Sequence, residues 1–299
     1  MAKAFVFYNP LAGNGMQEEK LSALTDDCKD EVIFCNMTDT EAYEKALLSL
    51  EPEDYIILCG GDGTLNRFIN LTDKAPLDNE IYYYPCGSGN DFAHDLGKKQ
   101  SNKPFCVTKY LKELPYIEVN GKKCRFLNGI GYGIDGYCCE VGDELKKRSN
   151  KAVNYTSIAI KGLMFHYKPT AATITVDGVT RKYNRVWLAP TMNGRFFGGG
   201  MMPTLNQDRL NPEKKLSVML FHNSGKLRAL VMFPSLFSGT HVKYTKHVEV
   251  LSGKDITVEF DRPTALQIDG ETVRNVTSYR ATSCTEAAAR QISEPLPIA

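Results

Sequence analysis

Leu58-Cys59-Gly60-Gly61-Asp62-Gly63-Thr64-Leu65-Asn66-Arg67 is the stretch that decides how the chain is read. The apolar run before it, Tyr55-Ile56-Ile57-Leu58-Cys59, predicts a buried strand. The run stops at three glycines set around a carboxylate, and a helix-like stretch follows. A strand, a glycine-rich turn and a helix in that order expose backbone N–H groups and the positive end of a helix dipole. Glycine lets that backbone approach a phosphate without a side-chain clash. Asp62 would repel the same phosphate unless a cation or a hydroxyl lay between them. A glycine-rich turn also arises for its backbone angles alone, so the neighbouring segments must decide.

Working outward, Ala4 to Tyr8 predicts a buried strand that ends at Asn9-Pro10-Leu11-Ala12-Gly13. Leu21, Leu24 and Cys28 mark one face of a helix. Glu31 to Cys35 predicts a second strand, Ala42 to Leu50 a helix, Leu65 to Leu71 another, and Ile81 to Tyr84 a fourth strand. This alternation implies a parallel α/β sheet with ligands beyond the carboxyl ends of its strands. Three glycine- or asparagine-rich turns, at 9–15, at 60–64 and at Pro85-Cys86-Gly87-Ser88-Gly89-Asn90-Asp91, then fall on one sheet edge.

After about Val107 the pattern changes to short segments rich in β-branched and aromatic residues, with turns such as Asn120-Gly121 and Asp177-Gly178 between them. These predict an antiparallel sandwich or barrel, interrupted by a helical insertion from Val141 to Phe165. The expected organisation is an α/β domain over 1–120 and a β-sandwich domain over 121–280, with a locally helical tail over 281–299 packing back on the first. Charge is balanced at 36 basic to 35 acidic residues, so no global field points to nucleic acid. Nine cysteines without metal-type spacing suit free thiols in a reducing cytoplasm. No run is long enough for a signal peptide or a bilayer span.

Phosphoryl transfer needs a phosphate cradle, a neutralising cation and a group that positions or deprotonates the attacking hydroxyl. The first two turns can form the cradle, and Asp62 and Asp91 stand where the same ligand would meet them. Far downstream, Leu266-Gln267-Ile268-Asp269-Gly270-Glu271 ends an apolar strand in two acids flanking a glycine. On spacing alone Asp269-Gly270 is an ordinary hairpin turn; alternatively Glu271 is a general base.

Taken in order, Asn9-Pro10-x-x-Gly13, Gly60-Gly61-Asp62-Gly63-Thr64-Leu65-Asn66, Gly87-Ser88-Gly89-Asn90-Asp91-Phe92-Ala93 and Gln267-Ile268-Asp269-Gly270-Glu271 resemble the diacylglycerol kinase catalytic domain family, in particular bacterial lipid kinases of the YegS/DgkB type. The resemblance covers residues about 5 to 280. It implies ATP as phosphate donor and Mg2+ as cofactor, with a diacylglycerol-like lipid bound in a cleft between the domains. It makes Asn9, Pro10, Gly13, Gly60, Gly61, Asp62, Gly63, Thr64, Leu65 and Asn66 the phosphate loops. Ser88 becomes a nucleotide contact and Thr38, with Thr40 as rival, an adenine-side residue. Asp62 and Asp91 become the acids around the catalytic magnesium, Asp135 an acid behind the site, and Glu271 the base.

Where relatives often carry Asp-Asp-Gly or Asn-Asp-Gly for a structural magnesium, this chain has Asn211-Pro212-Glu213-Lys214-Lys215. The resemblance assigns that site to Leu210, Glu213 and Lys215, the outer two through carbonyls. Phe196 to Met202 would line an acyl groove or form a core-facing turn, and Lys146, Lys147, Arg148 and Lys151 would meet anionic headgroups or form a solvated helix face. The expected partner is thus a membrane lipid, met peripherally at the inner face of the cell membrane. A homodimer is left open. The rival readings are a kinase of a soluble acceptor such as NAD, and a nucleotide- or lipid-binding regulator that has lost catalysis.

Overall fold

The computed structural model describes residues 2–10, 21, 30–73, 77–148 and 153–283. The chain divides into two compact units between Glu113 and Leu114. Gly13, the helix face of Leu24 and Cys28, Lys151 and the tail from Cys284 lie outside the described residues.

The first unit holds strands β1 (Lys3–Tyr8), β2 (Glu31–Asn36), β3 (Tyr55–Gly60), β4 (Glu80–Pro85) and β5 (Phe105–Cys106). Its helices are α1 (Thr40–Leu48), α2 (Asp62–Leu71), α3 (Asp91–Asp95) and α4 (Thr108–Leu111). The sheet order is β2-β1-β3-β4-β5, parallel except for β5. Ala4 to Tyr8 is buried throughout, as a strand covered on both faces must be. Tyr43 of α1 and Phe68 of α2 pack on Phe7 from one face, while Val6, Tyr8, Ile57 and Cys59 fill the other. The α/β reading of this half holds.

The second unit begins with β6 (Tyr116–Val119), β7 (Lys122–Arg125) and β8 (Gly129–Tyr132). Helices α5 (Ile134–Arg148) and α6 (Tyr155–Lys161) follow, and α6 runs on into a π-helical turn, Gly162–His166. Then come β9 (Thr170–Val176), β10 (Val179–Val186), β11 (Thr191–Met192), β12 (Leu216–Phe221), α7 (Lys226–Met232), β13 (Val248–Gly253), β14 (Asp255–Ile268) and β15 (Glu271–Thr282). All pairings are antiparallel, in the order β13-β12-β11-β8-β14-β15-β6-β7, with β9 joining β14 and β10 joining β9. The result is the antiparallel sandwich that the short-strand pattern predicts.

Ile256 to Phe260 and Leu266 to Ile268, which read in the sequence as separate short strands, are the two ends of one strand. β14 pairs with β9 near its start and with β8 near its end, and register shifts between Glu259 and Leu266 bend it from one neighbour to the other. One core is built from the strand faces, including Tyr132 stacked on Phe260 at 3.9 Å between centroids. A second joins α5, α6, the π-turn and α7 to the sheet through residues such as Leu163, Trp187 and Met232.

The helical insertion starts seven residues earlier than the pattern suggests, because Gly136 lets α5 lie against β14. A Cβ at Gly136 would sit 2.0 Å from the Ala265 carbonyl oxygen. Gly136→Ala is therefore expected to destabilise the second unit by about 1–3 kcal/mol, an overpacking cost. Denaturant unfolding followed by circular dichroism measures it, and an unchanged midpoint would show that the helix shifts freely.

Candidate active site

In the first unit the four parallel strands end on one edge, and their order reverses between β1 and β3. Open α/β sheets take ligands at such a reversal. Asn9-Pro10 leaves β1 there and Gly61 to Thr64 leaves β3, opening α2. The Gly60 carbonyl accepts bonds from the Tyr83 hydroxyl at 3.1 Å and the Cys86 amide at 2.9 Å. Thr64 folds over Gly60 so closely that a Cβ at Gly60 would lie 2.2 Å from its Oγ1. Thr64 and Leu65 are buried, Asn66 is half-buried and Gly63 is exposed, so this turn presents mainly backbone outward.

The second and third turns touch. A Cβ on Gly87 would stand 2.5 Å from Gly61 Cα, which explains a glycine at both places. Asn90, left-handed at φ 52°, closes the third turn with two bonds to Gly87, one through Oδ1 at 3.0 Å and one through Nδ2 at 2.8 Å. Asp62 then joins the turns. Its Oδ2 accepts the Asp91 amide and its Oδ1 the Phe92 amide, both at 2.9 Å. Asp91 is buried beside it, Ser88 is exposed on the rim, and Thr38 is exposed beyond β2 with its hydroxyl on Asn36 Oδ1 at 2.8 Å. The rival Thr40 opens α1, with Arg67 3.5 Å from its hydroxyl.

Asp62 presents a carboxylate at this edge, the hard oxygen donor that magnesium takes, so it fits a cation ligand. Among the described residues no three His, Cys, Asp or Glu side chains converge on a metal site. A magnesium held by Asp62 would complete its shell with phosphate and water oxygens.

In the second unit Glu271 opens β15 and is exposed. It follows a two-residue turn in which Asp269 (φ 48°) and Gly270 (φ 97°) are both left-handed, the hairpin geometry of a primed turn. The turn is also a clamp. Asp269 Oδ2 accepts the Leu127 amide at 2.5 Å, and its Oδ1 accepts those of Asn128 at 2.7 Å and Gly129 at 3.0 Å. From the other side Arg209 donates to the Leu127 carbonyl at 2.6 Å and to Asn128 Oδ1 at 2.5 Å. Gln267 Oε1 accepts the Gly270 amide at 2.5 Å, while its Nε2 donates to Asp135 Oδ2 at 2.9 Å. Asp135 stands in the first turn of α5, and burial pushes its carboxyl up to about 6, partly offset by the Gln267 bond.

The segment expected to hold a structural magnesium is closed by its own side chains. The Lys215 ammonium pairs with the Glu213 carboxylate and holds that carboxyl below its usual range. The Lys215 carbonyl accepts Gln207 Nε2 at 2.9 Å and Asn211 Nδ2 at 3.0 Å, which fill its two lone pairs. Lys214 occupies a left-handed position (φ 55°). As placed, Leu210, Glu213 and Lys215 do not fit a cation cage. In the expected acyl groove, Phe197 and Met201 bond to each other across three left-handed glycines and point into the core.

The family model described as "Diacylglycerol kinase catalytic domain" matches residues 3–115. The one described as "YegS C-terminal NAD kinase beta sandwich-like domain" matches residues 128–285. The chain belongs to the YegS/DgkB-type family of lipid kinases. It is 26% identical over 247 residues to "Putative lipid kinase YtlR" of Bacillus subtilis, covering 76% of this chain and 77% of that one. It is also 26% identical to a "Putative lipid kinase" of Staphylococcus haemolyticus, over 83% of this chain and 78% of the relative. A solved structure titled as a putative diacylglycerol kinase from Bacillus anthracis shares the fold, with a TM-score of 0.66 at 20% identity, covering 94% of this chain and 93% of that one.

Within this family frame, the residues that the sequence reading passed over are mostly holders. Asn90 and Asp269 carried a usable signal, since Asn and Asp are the non-glycine residues that most readily turn left-handed. Arg209 and the Gln267 side-chain nitrogen carried none, because their partners lie 81 to 132 residues away in sequence.

Removing the Asp269 carboxylate strands three amides. Asp269→Ala should lose about 2–3 kcal/mol in denaturant unfolding, and Asp269→Asn, which keeps one acceptor and tolerates the backbone angle, should lose less. Asp135 gives a pH signature. Its folded-state pKa lies above the unfolded value of about 4, so the native state binds the proton more tightly and stability falls as pH rises from 4 through 6. Relative to wild type, Asp135→Asn should therefore gain on the order of 2–3 kcal/mol between pH 4 and pH 7. Parallel stability curves for the two proteins would refute the assignment.

Proposed function

We propose that this chain is an ATP-dependent kinase that phosphorylates the free hydroxyl of a diacylglycerol-like lipid, giving a phosphatidic-acid-type product. The observation that carries the reading is the joined pair of turns at the sheet reversal, with Asp62 fixed between them by two amides. Backbone from Gly61 to Asn66 and the N-terminus of α2 would cradle phosphate, with Asn9, Pro10 and Ser88 on the same edge. Thr38 would lie toward the base of the nucleotide. Asp62, supported by Asp91, would hold magnesium, which when bound neutralises charge on the phosphates.

On the acceptor side, Glu271 would take the proton of the lipid hydroxyl. The hydroxyl oxygen bonds to the γ-phosphorus as the bond to the ADP oxygen breaks, and the proton passes to the Glu271 carboxylate. Positioning and charge neutralisation supply most of the acceleration in such transfers. Asp269 and Gln267 serve this step by fixing the backbone that carries Glu271, so they are positioning residues. Among the described residues no helix is long and apolar enough to cross a bilayer, and the lipid would be met at a membrane surface.

Purified protein with Mg-ATP and mixed micelles of diacylglycerol should transfer phosphate to lipid. Glu271→Gln should lower kcat by about a hundredfold or more, the usual worth of a general base. Asp62→Asn should lower kcat and raise the magnesium concentration needed for half-maximal rate. Equal turnover by Glu271→Gln would remove the base assignment, and absence of transfer to any lipid hydroxyl would remove the kinase reading.

A further inference from the structure

The ladder between β14 and β15 is broken part-way along. Glu259 pairs with Ser278 and Thr264 with Val276, so residues 260–263 of β14 face a single residue of β15. The next step, to Leu266 and Val273, sets Arg274 and Asn275 against Ala265 alone, and Asn275 is left-handed there at φ 56°. Bulges re-aim side chains, and Arg262 leaves the ladder to donate from Nη2 to the Lys168 carbonyl. A second irregularity lies beside this one, because the π-turn, Gly162–His166, runs directly into Tyr167 and Lys168. Such π-turns occur frequently at functional sites.

The two irregularities meet around a cavity of about 220 Å³, lined by Glu140 of α5, His166, Tyr167, Lys168, Arg262 and Asn275 among others. That volume falls below the roughly 300–1,000 Å³ of pockets for drug-sized ligands, so an occupant is small. Two polar groups of its lining are buried without a hydrogen-bond partner, Tyr167 Oη and Arg262 Nε. Tyr167 is only 5% exposed. Arg262 Cζ stands 5.7 Å from the centroid of its ring, near the hydroxyl but in no geometry that bonds the two. Buried polar groups are nearly always paired, so these two call for a partner. Burial holds the Tyr167 phenol above its ordinary range, opposed by the Arg262 charge, so the hydroxyl keeps its proton and can donate it in a hydrogen bond.

The charges at the cavity favour an anion. Arg262, Lys168 and His166 stand against one acid of the lining, Glu140, which Arg274 Nε meets at 3.3 Å. Asp261, beside Arg262 in sequence, accepts the Thr170 hydroxyl. A carboxylate ligand would offer two oxygens in one plane, whereas a phosphate monoester offers three acceptor oxygens around a tetrahedral centre. Donors arriving from β14, β15 and the end of the π-turn suit the second shape, and arginine pairs strongly with it.

We propose that this cavity binds the phosphate of a small soluble phosphate monoester, of the size of a glycerol phosphate. Arg262 Nε and Tyr167 Oη donate to its oxygens, and the exposed Lys168 and Asn275 supply further donors at the rim. The site lies within the second unit and uses none of the residues assigned to phosphoryl transfer, so it stands or fails separately from the kinase reading.

Trp187 is the chain's one tryptophan, and its ring lies 6.2 Å from that of Tyr167, so its emission reports on this cavity. Titration of the full-length protein with glycerol 3-phosphate should give a saturable change in that emission, with heat in calorimetry, and glycerol should give neither. Tyr167→Phe should weaken binding about tenfold, the worth of one hydrogen bond to a charged group, and Arg262→Gln by more. Because Tyr167→Phe removes only an oxygen without a partner, its thermal melt should match or exceed that of wild type. A purely structural tyrosine would give the same melt and leave the titration unchanged, which overturns the proposal. Absence of a saturable response to glycerol 3-phosphate overturns it too. Short-chain phosphatidic acid, kept below its micelle concentration, carries the same group on a lipid, and saturation by that compound alone would overturn the soluble assignment. Phosphate held by the turns of the first unit would persist in both variants and be distinguished by that persistence.

Discussion

A carboxylate that accepts backbone amides from a distant loop is the interaction on which both candidate site regions rest. Asp62 takes the amides of Asp91 and Phe92 and so holds the second and third turns together. Asp269 takes those of Leu127, Asn128 and Gly129 and so fixes the hairpin that carries Glu271. Charge-assisted bonds of this kind are roughly twice as strong as neutral ones, and each links segments that the chain separates widely. Loops alone would leave such groups loose by more than phosphoryl transfer tolerates, since an error of about 1 Å in position can remove two orders of magnitude in rate.

The fold was legible where chemistry is local. The four parallel strands of the first unit were foreseen to within a residue, because continuous apolar runs bounded by turn residues have few other solutions, whereas the two-residue β5 was not. The second unit was legible only in class. The twelve residues of β15 were not foreseen as a strand, since polar side chains occupy most of its exposed face. The stretch Asp261-Arg262-Pro263-Thr264 hid the continuity of β14, whose bend needs polar and proline residues where register shifts. Gly136 hid the start of α5, because its meaning depends on a carbonyl of Ala265, far along the chain.

Candidate site residues divide in the same way. The sequence reads its glycine-rich turns as letting backbone approach a phosphate, and the structure adds a packing reason: Thr64 leaves no room at Gly60, and Gly61 and Gly87 leave none for each other. The sequence reads Asp62 as a cation ligand and not as a tether, and its amide partners account for why its orientation is fixed. At Asn211 to Lys215 the departure from the family pattern is resolved by internal pairing. An ammonium sits where relatives are expected to bind a metal, and two amides fill the carbonyl. A loop built this way keeps its shape through its own side chains, of which the exposed Lys215–Glu213 pair weakens as salt rises while the amide bonds do not.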